Sequence, residues 1–247
     1  MRELDRNPSD TPPLRCAVVG AGRLGHALAA ALSDAGLAVE GPLGRGADPA
    51  ADVVLLTVPD GEIAAAAAAL TPHRARFVGH CSGATTLEPL AAHEALSLHP
   101  LMSVTEGGAA PFAGAGCAVA GATRAAMRVA EGLASALGMR AVEVADEDRA
   151  AYHAAASIAA NFLVALEGAA ERLAATAGVD RELLVPLARA ALENWAANGA
   201  ERALTGPVAR GDEATIARQR AAVEERAPDL LDAFDALVAV SRVLVAA

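Results

Sequence analysis

Two regimes of hydrophobic patterning divide the chain. Between Leu14 and Asp146 short apolar runs alternate with stretches of helical period, and beyond Asp146 the period is helical throughout. The runs at 15–19, 37–43, 51–58, 76–80, 95–99, 114–120 and 139–144 predict strands, the second weakened by Gly41 and Pro42. Between them, 24–35, 63–70, 86–93 and 124–137 predict helices, the first closed by Gly36. Strands alternating with helices predict an α/β fold with a doubly wound, mostly parallel sheet. The segments 148–177, 181–200, 212–226 and 228–247 then predict an all-α C-terminal domain. The expected division is a disordered lead-in at 1–13, a sheet domain at 14–145 and a helical domain at 146–247.

Gly20-Ala21-Gly22-Arg23-Leu24-Gly25 falls at the junction of the first strand and first helix. In that position a Gly-x-Gly-x-x-Gly turn lets the backbone approach a pyrophosphate, and the helix N-terminus offers free N–H groups to it. All six residues are therefore expected at a dinucleotide. An acid at the end of the second strand would select NAD and an arginine NADP. Here the strand runs into Leu43-Gly44-Arg45, and Glu40 still lies within it. Arg45, with Arg23, favours NADP; the alternative for Arg45 is a solvated loop arginine.

Composition narrows the chemistry. All 20 cationic side chains are arginine, so Schiff-base catalysis, a lysine acid and a P-loop lysine are excluded. A net charge of −10 argues against nucleic acid and anionic membrane as partners. Cys16, Cys81 and Cys117 have no metal-ligand spacing, so free thiols, a reducing compartment and no metal are expected. The N-terminus has no apolar core of a signal peptide, and no stretch is read as approaching twenty strongly apolar residues. A soluble cytoplasmic protein is the expectation. Aromatics make up 2% of the chain against an apolar fraction of 54%, rich in alanine, so its core requires close helix packing.

With the glycine turn, the segments Asp52-Val-Val-Leu-Leu-Thr-Val-Pro-Asp60, Ser97-Leu-His-Pro100-Leu-Met and Leu204-Thr-Gly-Pro-Val-Ala-Arg-Gly-Asp212 form a wider pattern. It resembles the bacterial Rossmann-like oxidoreductases that carry a helical C-terminal domain of unknown function. More distantly it is similar to pyrroline-5-carboxylate reductase, ketopantoate reductase and the β-hydroxyacid dehydrogenases. The resemblance implies NADP-dependent reduction, a helical domain that closes the site and forms a homodimer, and Thr57, Val58 and Pro59 at the cofactor. In the β-hydroxyacid dehydrogenases a helix after the nucleotide domain carries a lysine with an asparagine four residues later. The nearest match is Ser157 and Asn161, so the lysine is missing and that mechanism does not transfer.

Reduction of a carbonyl or imine needs a proton donor and groups that fix the substrate, at the carboxyl ends of the strands. His80-Cys81-Ser82-Gly83 follows a strand, so Ser82 either grips a ligand or makes an ordinary turn. His99 ends the next strand and is either a general acid, with a pKa of about 6.5 if unperturbed, or a structural histidine. His153, Ser157 and Asn161 recur every four residues on one helix face, toward a polar cleft or toward a neighbouring helix. Arg210 reaches an anionic substrate or pairs with Asp212, itself a fitting N-cap. The expected function is an NADP-dependent reductase of a small carboxylated keto or imino compound, with His99 or His153 as acid and Ser82, Asn161 and Arg210 positioning substrate. A non-catalytic NADP-binding regulatory protein and a deazaflavin-dependent oxidoreductase are the alternatives.

Overall fold

A computed structural model describes residues 14–105 and 111–246. The lead-in expected at 1–13 lies outside the described residues. The chain forms two compact units, Met1–Ser157 and Ile158–Ala247. The division falls later than the change of pattern at Asp146, because the first helix after the sheet packs with the sheet.

The first unit is built on a seven-stranded sheet in the order β2-β1-β3-β4-β5-β6-β7. Its strands are β1 (Arg15–Val19), β2 (Ala38–Leu43), β3 (Val53–Leu56), β4 (Phe77–His80), β5 (Ala95–Leu101), β6 (Gly116–Gly121) and β7 (Arg140–Glu143). All pairs are parallel except β5 with β6. The predicted mostly parallel sheet is thus observed. The central strands are apolar runs without breaks because both faces are covered. Alternate residues then serve opposite faces: Cys16, Val18, Val53 and Leu55 join one core, and Ala17, Val19, Val54 and Leu56 the other.

Helices α1 (Arg23–Asp34) and α3 (Arg124–Ala136) cover the first face with Leu28, Leu32 and Leu133, and α2 (Ile63–Ala68) covers the second with Ile63. The Thr123 hydroxyl caps α3 by accepting from the Ala126 N–H at 3.1 Å. The helix expected at 86–93 is only a 3-10 turn, Glu88–Leu90. Pro89 inside it supplies no N–H, and the Thr86 carbonyl is engaged by the His80 side chain at 3.0 Å. The order places β1 and β3 side by side with their connections leaving in opposite directions, which opens a crevice at their carboxyl ends.

Cys16, Cys81 and Cys117 are free and buried. Burial raises their thiols to about 11, 12 and 12, which leaves them protonated and inert.

Beyond the sheet, α4 (Arg149–Ser157) ends the first unit. The second contains a π-helical turn, Ile158–Phe162, then α5 (Leu163–Ala175), α6 (Arg181–Asn198), α7 (Ala200–Ala203), α8 (Gly206–Ala209), α9 (Glu213–Arg226) and α10 (Leu231–Ala246). The all-α prediction holds, with the 148–177 helix interrupted by the π turn. Asp212 caps α9 as expected, accepting from the Thr215 N–H at 3.0 Å. Among the described residues this unit buries only Ile216, Val223 and Ala227, while α5, α6 and α10 bury none.

The helical run Asp146–Ala175 has the length and composition to cross a membrane, with mean hydropathy 1.2, contrary to the expectation of no such stretch. Alanine is the commonest residue of that run, and each alanine removes little apolar area from water.

Candidate functional site

The glycine turn forms the wall of the crevice. Gly20 has φ +123°, and a Cβ there would lie 2.7 Å from both the Thr57 carbonyl oxygen and Oγ1. A Cβ on Gly25 would lie 1.8 Å from the Gly20 carbonyl oxygen. Both positions therefore require glycine. Gly22 is the opposite case: nothing lies within 4 Å of its Cβ position, and no side chain caps the helix it starts. The first amides of α1 thus face open space. The turn is pinned from both sides, since the Gly20 N–H donates to the Leu43 carbonyl at 2.9 Å and Thr57 Oγ1 donates to the Gly20 carbonyl at 2.9 Å.

In front of the turn is a cleft of about 430 Å³. Gly22, Arg23, Leu24, Thr57, Val58 and Pro59 line it on the β1 and β3 side; Cys81, His99, Pro100, Met102 and Val104 line it on the β4 and β5 side. Gly20, Ala21 and Gly25 shape the turn behind that lining. A glycine cradle with bare helix amides and room in front fits a dinucleotide's pyrophosphate.

A larger hollow of 610 Å³ lies at the amino-terminal edge of the sheet. Asp52 accepts there from the Arg15 N–H at 2.9 Å and Glu94 from the Thr123 hydroxyl, and no glycine turn serves it.

Arg45 lies just beyond β2, as expected for a group that meets a ribose phosphate. Its Nη2 donates to Glu62 at 2.7 Å, but its side chain is 81% exposed. An exposed pair of this kind is worth at most about 1 kcal/mol, so a phosphate dianion can displace Glu62. Glu40 pairs with Ala17 inside β2, confirming that no acid ends the strand.

The Ser82 hydroxyl is used within its own turn. Oγ accepts from the N–H groups of Ala84 at 3.2 Å and Thr85 at 3.0 Å and shares a bond with Thr85 Oγ1 at 2.9 Å. Its side chain therefore follows the ordinary-turn alternative. His80 is fully buried: Nδ1 accepts from the Ser82 N–H at 3.3 Å, so Nε2 carries the proton and donates to the Thr86 carbonyl at 3.0 Å. Desolvation lowers its pKa, which keeps it neutral.

His99 lines the cleft two residues before the end of β5, which runs past the strand end expected at 99, and α4 brings two partners to it. Its Nδ1 is 2.9 Å from the Tyr152 hydroxyl, with the rings edge to face at 5.6 Å. The His153 ring lies 6.0 Å away, also edge to face. Gly83 lets the rings approach: a Cβ there would be 2.7 Å from His99 Cε1 and 2.8 Å from His153 Cδ2. Burial, with lesser contributions from His153 and Arg149, pushes the His99 pKa down to about 4, not the unperturbed value expected. His99 is therefore neutral at pH 7. Burial raises the Tyr152 phenol to about 12.

Behind this group Arg149 is 1% exposed. Its Nε donates to Asp146 at 2.9 Å and its Nη2 to Ser97 Oγ at 2.7 Å, while Nη1 is buried without a partner. Sequence reasoning missed Arg149 and Tyr152. The signal present was that Tyr152 is the chain's single tyrosine, adjacent to a histidine already singled out.

The remaining expected residues lie in the helical unit. Asn161 is exposed within the π turn, whose wider winding takes it off the four-residue stripe of His153 and Ser157. Arg210 is exposed after α8 and belongs to none of the ion pairs among the described residues, so the alternative of a pair with Asp212 is not realised.

Sheet order, glycine turn and helical continuation define a Rossmann-type α/β fold followed by an all-α region. The same fold occurs in a candidate NADP oxidoreductase of Bacteroides fragilis, 18% identical, covering 93% of this chain and 98% of that one with TM-score 0.81. It occurs in protein TM1727 of Thermotoga maritima, 24% identical over 93% and 98% of the chains with TM-score 0.76. A Plasmodium falciparum pyrroline carboxylate reductase with NADP bound shares it at 11% identity, over 94% and 98%, with TM-score 0.60. No curated protein matches the chain. Residues 115–240 match the model of a domain of unknown function, DUF2520, and the chain belongs to that family.

Proposed function

We propose that the chain is an NADP-dependent reductase acting on a small anionic keto or imino compound. The observation that carries this reading is the cleft itself, which joins a glycine cradle fit for a pyrophosphate to a histidine near the end of β5. Bound NADPH would supply the hydride. Gly22 and the first amides of α1 would hold its pyrophosphate, and Arg23 and Arg45 its ribose phosphate. His99 would stand at the reacting carbon's heteroatom, with His153 beside it. Arg210 and Asn161 belong to the helical unit and stay candidates for binding an anionic substrate. The NADP-bound pyrroline carboxylate reductase of the same fold supports the cofactor and the reaction class.

The helical unit is proposed to form a homodimer. Many of its apolar side chains stay exposed: Leu183 and Leu187 are each 70% exposed and Trp195 56%. A patch of that kind marks a protein interface. Neither nucleic acid nor membrane is a proposed partner, given the net charge of −10. Inert free thiols fit a cytoplasmic location.

The test is binding followed by turnover. NADPH quenching and thermal stabilisation, then NADPH oxidation with a panel of keto acids and cyclic imines, are the expected results. Tight NADPH binding without turnover on any substrate would favour a regulatory protein, and tighter binding of a deazaflavin would change the cofactor. Binding of neither refutes the proposal.

A further inference from the structure

We propose that Tyr152 fixes the tautomer of His99: its hydroxyl donates to Nδ1, so His99 presents Nε2–H to the cleft and serves as a neutral proton donor. The pairing follows from donor and acceptor strength. A phenol O–H is a better donor than a neutral imidazole N–H, and an imidazole nitrogen a better acceptor than a phenol oxygen. At 2.9 Å the two atoms are in full hydrogen-bond contact, and the Tyr152 hydroxyl makes no other bond among the described residues. Among the described residues His99 Nε2 has no hydrogen-bond partner either, yet it is not among the polar atoms sealed from solvent, unlike Arg149 Nη1. It is the free end of the pair, in a ring that lines the cleft.

The groups around His99 favour its neutral form. His153 and Arg149 from α4 and His80 from β4 oppose a positive charge, while Asp60 after β3 favours one and is outweighed by burial. The Tyr152 phenol keeps its proton, since burial raises it and Arg149 offsets only part of that. A neutral imidazole with its pKa lowered acts as an electrophile through its N–H.

The catalytic part of the inference rests on the reductase reading above; the tautomer does not. As the substrate heteroatom gains an electron pair, the bond from Nε2 to hydrogen breaks and the proton passes to that atom. The Tyr152 proton moves to Nδ1, so the ring stays neutral throughout. The proton then returns from Nδ1 to the phenolate through the same hydrogen bond as Nε2 takes one from water, which restores both groups and leaves hydroxide to the solvent.

The test is long-range ¹⁵N–¹H correlation NMR of the full chain, which reads the protonation of each ring nitrogen without any turnover. In the wild type His99 is expected as neutral Nε2–H from pH 8 down to pH 5. In Tyr152→Phe, where Nδ1 loses its donor, the Nδ1–H form should appear beside it. An Nδ1–H tautomer or an imidazolium at pH 7 in the wild type overturns the inference, whether or not the variant folds. So does an unchanged tautomer in a folded Tyr152→Phe chain. Where turnover is found, the variant should lose at least about tenfold in kcat with KM for NADPH unchanged. A wild type with the expected tautomer but no reductase activity supports the pair and defeats the reductase reading alone.

Discussion

Acid should weaken the sheet unit well above the range in which its carboxylates titrate, and His99 sets the size of the effect. Its pKa of about 4 lies below the ordinary histidine value, so the unfolded chain takes up a proton first as pH falls. The contribution is fully present above about pH 6.5 and is lost progressively down to about pH 4. Over that whole interval, at about 1.4 kcal/mol per pH unit, it amounts to about 3 kcal/mol, and by pH 5 about 2 kcal/mol has gone. His80 is shifted in the same direction by burial and adds to the slope. Asp48 and Asp52 have lowered values, so their stabilisation is lost only below the ordinary carboxylate range and leaves this window clear. The measurement is the thermal unfolding midpoint of wild type and His99→Gln from pH 8 to pH 4.5. Wild type should fall further than the variant by about 4–8 °C at pH 5, taking about 2–4 °C per kcal/mol for a unit of this size. Curves that stay parallel would refute the burial argument for His99.

The glycine turn gives a paired prediction. Gly25→Ala should destabilise by about 3 kcal/mol, because its methyl group meets the Gly20 carbonyl oxygen; Gly22→Ala should unfold like the wild type by calorimetry yet lose at least about tenfold in NADPH affinity, about 1.4 kcal/mol. Arg45→Gln should narrow the preference for NADPH over NADH by about tenfold, read from the two dissociation constants. At the buried cation, Asp146→Ala should cost about 3 kcal/mol in urea unfolding by stranding the Arg149 charge, whereas Arg149→Met should cost less because the charge leaves with the side chain.

Most of the fold was legible in the sequence because its signals are local. The unbroken apolar runs at β1 and β3 and the glycines of the turn each specify structure within a few residues. What was lost lay where a local signal is overridden. The 86–93 segment reads as helical, but Pro89 and the His80 bond to Thr86 hold it to a single 3-10 turn. The 148–177 run has continuous helical character, and nothing in Ile158-Ala-Ala-Asn-Phe162 announces five residues of π winding, so the stripe through Asn161 was extended one turn too far.

The site was less legible for a different reason, which is that its chemistry lies in contacts across long stretches of sequence. His99 was visible as a polar residue near the end of an apolar strand, but its protonation depends on burial and on His153 and Arg149, more than forty residues away. Periodicity cannot report that a helix after the sheet folds back onto β5. Nor can it separate the histidines carried by β4 and β5: His80 is fully buried with both ring nitrogens bonded to backbone, and His99, among the described residues, has one free. That difference decides which can act on a ligand. Placing the missing lysine at Ser157 searched for chemistry one turn beyond where the chain supplies it, because the group that touches His99 is Tyr152, on the first turn of α4.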